Sequence, residues 1–194
     1  MKTVNKTYHS QIEVKRSKFL SFLVYIDKFK KMQKVLKAKH PKANHIVWAY
    51  RKLNEYNQIV EDSSDDGEPK GSAGKPVLHV MQGNDLVDCA ILVVRYFGGI
   101  KLGIGGMARA YSDAAKTVID AAKLSIYEKE LQISFFTDYK TLRKWEYLIS
   151  ELNLAKIVRK FNEKGVFWSI CGPESDILKL QEKSKDTSIS FLVK

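Results

Sequence analysis

Cysteine, acidic charge and long apolar runs are all scarce in this chain, and each shortage narrows what it can be. Only two cysteines, Cys89 and Cys171, occur in 194 residues, and neither belongs to a C-x-x-C pair. That argues against a disulfide framework and fits a reducing compartment. No apolar stretch approaches the roughly 20 residues that a bilayer-spanning helix needs. Residues 1–11 are polar rather than the apolar core of a signal peptide. A cytoplasmic location with no membrane partner is the expectation.

The acidic shortage is the most informative. Lys and Arg number 33 against 22 Asp and Glu, a net charge of +11. A positive field of that size favours polyanionic partners, although surplus charge also serves simple solubility. With 44% hydrophobic and 28% charged residues, the chain has enough apolar content to build a core. The excess is uneven. Residues 1–124 hold 21 basic and 12 acidic residues, a net +9, and residues 125–194 hold 12 and 10, a net +2.

The pattern along the chain is that of an α+β protein in two parts. Residues 12–25 become continuously apolar and read as one strand entering the core. From Asp27, a plausible N-cap, Phe29, Met32, Val35 and Leu36 recur at helical spacing with lysines on the other face, and Pro41 marks the end. Residues 45–51 and 58–60 read as strands, 61–75 as a long polar loop and 76–81 as a short helix. Residues 89–97 are the most hydrophobic strand, with Cys89 as a buried thiol. A glycine loop over 98–106 then leads to a helix over 107–123, striped by Ala108, Tyr111, Ala115, Val118 and Ala122. Beyond a boundary near 124–127, a strand (126–137), helix (139–152), two strands (155–162 and 165–171), helix (173–184) and strand (187–193) follow. That order, β-α-β-β-α-β, is the split βαβ or ferredoxin-like plan.

Three segments carry candidate chemistry. The loop RYFGGIKLGIGGMARAY at 95–111 places Gly98, Gly99, Gly103, Gly105 and Gly106 between a buried strand and a helix N-terminus. Such a backbone can lie close to an anion, and Arg95, Lys101 and Arg109 bracket it. The competing explanation is a tight turn that needs glycine for geometry alone. The partial match to a dinucleotide fingerprint lacks the acidic residue about 20 positions on, and no G-x-x-x-x-G-K-[ST] is present. No nucleotide or other cofactor is therefore expected.

The second segment, DSSDDGEPKGSAGKP at 62–76, offers Asp65, Asp66 and Glu68 as hard oxygen ligands or as partners for the cationic loop. Lys70 and Lys75 add charge beside it. EF-hand spacing fails, and the commonest fate of such a run is a solvated loop. The third, HIVWAYR at 45–51, places His45, Val47, Ala49 and Arg51 on one strand face and Ile46, Trp48 and Tyr50 on the other. His45 and Arg51 are candidates for acid–base work or phosphate contact. His40 and His45 lack metal-ligand spacing, so no metal is expected. No nucleophile–base pair is identifiable.

These segments, with EVKRSKF at 13–19, resemble in order the successive signatures of the YigZ/IMPACT family, also called UPF0029, over nearly all of residues 10–112. The remainder is similar to the C-terminal domain of bacterial two-domain members. Ser72 keeps a hydroxyl where threonine is common, and Lys70 and Met107 are variants. The resemblance implies a ribosomal protein S5 domain 2-like fold for residues 1–124, a ferredoxin-like fold for 125–194, and a layout similar to two domains of elongation factor G. It further implies a non-enzymatic nucleic-acid or ribosome-binding protein that regulates translation or a stress response. Two alternatives stay open: a metal-dependent enzyme acting on a phosphorylated small molecule or RNA, and a protein-interaction adaptor. Neither the ligand nor the oligomeric state is legible.

Overall fold

The computed structural model describes every residue except 153, 155, 185–188 and 194. Contacts divide the chain into two units, Met1–Tyr127 and Glu128–Lys194. No helix among the described residues is long and apolar enough to cross a membrane.

The first unit opens with β1 (Lys2–Thr3), β2 (Tyr8–Val14) and β3 (Ser17–Tyr25). The last two form a hairpin where one strand is expected, because Lys15 and Arg16 turn the chain with φ of 47° and 64°. A two-residue turn of this hand matches the twist of its strands but normally recruits Asn or Gly. Asp27 does not cap a helix. It lies in a short 3-10 segment, Ile26–Lys28, and α1 (Phe29–Lys39) follows with no side-chain cap. Next come β4 (His45–Leu53), β5 (Ile59–Ser64), α2 (Gly74–Gly83), β6 (Cys89–Tyr96), α3 (Gly103–Asp120) and β7 (Ser125–Ile126).

The main sheet runs β2-β3-β6-β4-β5, antiparallel throughout, and β1 pairs with β7 apart from it. β6 is central and buried along nearly its whole length, which accounts for its unbroken apolar run. One sheet face, through Phe19, Leu23, Val47, Ala49, Ile91 and Val93, packs on α2 and α3. The opposite face, through Val24, Ile46, Leu92 and Val94, packs on Phe29 and Leu36 of α1. Two expectations change here. Residues 61–64 belong to β5, paired with Trp48 to Arg51 despite their polarity. Gly105 and Gly106 belong to the first turn of α3 rather than to a loop.

The second unit contains β8 (Glu130–Asp138), α4 (Leu142–Ser150), β9 (Lys156–Asn162), β10 (Gly165–Pro173), α5 (Glu174–Lys183) and β11 (Leu192–Val193). Its antiparallel sheet runs β11-β8-β10-β9. Ile133, Phe135, Val166, Trp168 and Ile170 form its core with Trp145 of α4 and Ile177 of α5. Of the strand expected over 187–193, residues 187 and 188 lie outside the described ones, and the pairing covers Leu192 and Val193.

Candidate functional site

A cleft of about 360 Å³ opens at one end of the first unit's sheet. β4 delivers His45 to it, β6 delivers Arg95, and the segment after β5 delivers Glu68. Arg95 and His45 are register partners on neighbouring strands, so their side chains leave the same face together. The loop between β6 and α3 contributes Phe97, Lys101 and Leu102, and the first turns of α3 contribute Gly103, Ile104 and Met107.

The floor is a buried polar chain. Glu68 Oε1 accepts hydrogen bonds from Arg95 Nη1 at 2.6 Å and from the Tyr111 hydroxyl at 2.7 Å. His45 Nδ1 donates to the Asp66 carbonyl at 2.7 Å, since a carbonyl can only accept. Its other ring nitrogen, Nε2, lies 3.8 Å from Glu68 Oε2, and the residue lines the cleft. Burial above all, and then the hydrogen bond to Glu68, push the Tyr111 phenol well above the ordinary tyrosine range. Tyr111 thus stays protonated and donates a hydrogen bond to the carboxylate. Arg95 stacks its guanidinium near the Phe19 and Phe97 rings, and its Nε has no acceptor among the described residues.

This arrangement alters the roles anticipated for the charged residues. Arg95 is only 6% exposed and Glu68 only 8%, so Arg95 is a neutralised floor group rather than an open cation. Lys101 shares the cleft and is exposed. Arg109 does not. It lines a separate groove of about 700 Å³ between α2 and α3, with His79 and Lys116. The three-cation bracket is therefore not assembled on one surface. Arg51 is elsewhere again, donating to Glu61 at 2.9 Å and to the Leu86 carbonyl at 2.8 Å.

The acidic segment is in good part exposed, but Asp65, Asp66 and Glu68 are tied to their surroundings and do not converge. Asp65 accepts the backbone N–H groups of Gly71, Ala73 and Gly74 at 2.7, 3.0 and 2.8 Å, tying down the start of α2. Asp66 accepts the N–H of Ile46 at 2.6 Å. Ser72 donates to the Pro69 carbonyl at 2.7 Å, which is what its hydroxyl does. With Glu68 held by Arg95, these groups act as internal connectors. Among the described residues no cluster of three or more His, Cys, Asp or Glu could hold a metal. Lys70 and Lys75, within this segment, are exposed.

The glycines divide by reason. A Cβ on Gly98 would collide with the backbone of Arg16 and Ser17, so this residue is required where the loop crosses the first hairpin. Gly99 and Gly103 take φ of 85° and 70°, the left-handed region. Gly105 meets neither constraint: open space surrounds it and it is exposed in the first turn of α3.

The surface that the sequence motifs do not single out is α1 with its flanking residues. Lys28, Lys30, Lys31, Lys34, Lys37, Lys39 and Lys42 are all exposed, and no acidic residue occurs between Asp27 and Glu55. Among the described residues none of these lysines enters an ion pair, whereas Lys129, Lys179 and Lys183 do. The signal was present in the sequence as a lysine run without acids.

Fold and cleft together define a mixed α/β protein of two units, the first carrying a cleft over a buried Glu68–Arg95–Tyr111 cluster with the half-buried His45 beside it. Residues 15–119 match the family model of the Impact N-terminal domain. The IMPACT family member YigZ of Escherichia coli strain K12 is 30% identical over 185 residues, covering 91% of this chain and 87% of its own. The member YvyE of Bacillus subtilis strain 168 is 32% identical over 168 residues, covering 80% and 76%. A crystal structure described as a hypothetical protein shares the fold, with a TM-score of 0.68 at 24% identity over 98% of this chain and 95% of that one. The chain belongs to the YigZ/IMPACT family.

Proposed function

We propose that this protein is a non-enzymatic regulator of translation or of a stress response, acting in the cytoplasm by binding RNA or the ribosome. The observation that carries this reading is the unpaired lysine face of α1. Seven lysines within fifteen residues, with no acids among them, form a polyanion footprint that intramolecular pairing does not cancel. Lysine ammonium groups contact phosphate as point charges, so this surface supplies affinity and position rather than sequence choice. Lys101 and the exposed first turn of α3 offer a separate contact at the cleft. Family membership supports the same reading. For domain types we retain an S5 domain 2-like unit at 1–124 and a ferredoxin-like unit at 125–194, the latter supported by its strand order.

The test is equilibrium binding to purified ribosomes and duplex RNA across about 50–200 mM salt. Lys30→Glu/Lys34→Glu/Lys37→Glu is expected to weaken binding more than tenfold and to reduce the log–log salt slope by about 2–3. Unchanged affinity and slope would remove the lysine face from the reading.

One observation favours a second reading, in which the cleft binds a phosphorylated small molecule or RNA and acts on it. His45 lines the cleft, is held through Nδ1 by the Asp66 carbonyl and has Glu68 Oε2 3.8 Å from Nε2, a histidine–carboxylate pairing that suits a general acid or base. The metal-assisted form loses its support because Asp65, Asp66 and Glu68 are otherwise engaged. Turnover of any phosphate ester that is abolished by His45→Gln would favour this enzyme over the binding module.

A further inference from the structure

The four-stranded sheet of the second unit has one face packed on α4 and α5 and another that no helix covers among the described residues. Alternation sends Ile133, Phe135, Val166, Trp168 and Ile170 to the core, and so sends Ser134, Phe136, Phe167 and Ser169 to the open face. Phe136 on β8 and Phe167 on β10 are direct register partners, with ring centroids 4.9 Å apart and planes inclined at 56°. Phe167 is 53% exposed and Phe136 partly so. In the same register, β9 places Lys160 opposite Phe167. One row across three strands therefore reads lysine, phenylalanine, phenylalanine.

The neighbouring rows fit the same occupant. Val158, Ser169, Ser134 and Leu192 form the next row, and Lys156, Cys171 and Gln132 the one beyond. Lys156 and Lys160 enter no ion pair among the described residues. The acids at the margins are engaged: Asp138 accepts from Thr141, and Glu130 faces the Cys171 thiol. Two aromatic rings on the middle strands, hydroxyl and amide groups beside them and cations on the edge strand make a surface for unstacked bases and their phosphates. A purely apolar protein partner would leave those lysines unanswered.

We propose that the open face of this sheet is a stacking platform for single-stranded RNA, in which Phe136 and Phe167 receive bases and Lys160 and Lys156 contact the adjoining phosphates. Every base has a π face, so such a platform tolerates sequence while discriminating single strand from duplex, whose bases are already stacked. The proposal rests on the RNA reading of the protein and adds a second surface of different selectivity.

The experiment uses the full chain, a fluorescent oligouridine and an RNA duplex of equal phosphate count. Phe167→Ala is expected to weaken oligouridine binding about tenfold, with the salt slope and the duplex affinity unchanged. Phe136→Ala/Phe167→Ala weakens it further. Phe167→Trp retains binding, and Phe167→Leu, which keeps an apolar side chain that folds equally well, loses it. Oligouridine binding unaffected by these variants, equal loss for duplex, or full retention by Phe167→Leu would overturn the platform. If the α1 lysine variant still loses duplex and ribosome binding, that failure leaves the polyanion reading standing. A wild-type protein that binds neither RNA at low salt overturns both.

Discussion

The two faces of the first unit's sheet use charge in opposite ways. Beneath α2 and α3, charge is turned inward: Arg95 and Glu68 are buried, paired and linked to Tyr111 and His45. On the face covered by α1, charge is turned outward as lysines without partners. Net charge alone does not separate these uses. Arg95 is as cationic in sequence as Lys34, yet only Lys34 can meet a phosphate without first abandoning a buried carboxylate. A buried ion pair organises its surroundings, while an exposed one-sign row organises its partner.

The sharpest way to break the contrast is to remove one member of the buried pair. Glu68→Ala leaves Arg95 uncompensated in the interior, and urea unfolding is expected to show a loss of about 3–5 kcal/mol. Glu68→Leu/Arg95→Met, which removes both charges while keeping volume, should lie closer to wild type than either single change. If the singles cost no more than the double, the pair is not buried in solution.

A smaller loss, about 2–3 kcal/mol by the same measurement, is expected for Gly98→Ala. Its methyl would meet the Arg16 carbonyl, and backbone cannot move aside as a flexible side chain can. Gly105→Ala is the control: open space surrounds that residue, and alanine should stabilise the helix by a few tenths of a kcal/mol to about 1 kcal/mol.

Alkaline pH probes the same covered face. Burial above all, and then the Asp88 charge, push the Cys89 thiol up to about 12. Above about pH 8.5 the unfolded thiol releases its proton while the native one keeps it. The native state then binds more protons, so stability falls as pH rises, by up to about 1.4 kcal/mol per unit from this group. Cys89→Ala should flatten that slope between pH values of about 9 and 10. An unaltered slope would mean that the thiol is not the buried group responsible.

The smallest effect on stability belongs to the other face. The α1 lysine variant should unfold within about 0.5 kcal/mol of wild type, since these side chains are exposed and unpaired. Its loss is expected in RNA and ribosome binding alone, which is the contrast in its sharpest form.

Much of this follows from local pattern. The strand Cys89–Tyr96 is legible because a strand buried on both faces reads as an unbroken apolar run. The sidedness of β4 is legible because alternation is local: Val47 and Ala49 go to one core cluster and Ile46 to the other. The first hairpin is not legible, because Lys15 and Arg16 occupy a turn that usually announces itself with Asn or Gly. Nor is the role of residues 61–64, whose polar side chains hide a strand held by backbone pairing with β4.

The sequence by itself determined the charge, the family signatures, the buried central strand and the lysine stripe on α1, because each is a property of neighbours along the chain. Only the tertiary structure decided which charges are available. Arg95 meets Glu68 across 27 positions and Tyr111 meets Glu68 across 43, while Lys101 and Arg109, eight apart, line different hollows. Partnership of that kind depends on strand register and helix direction, and burial then turns two charges into one neutral connector.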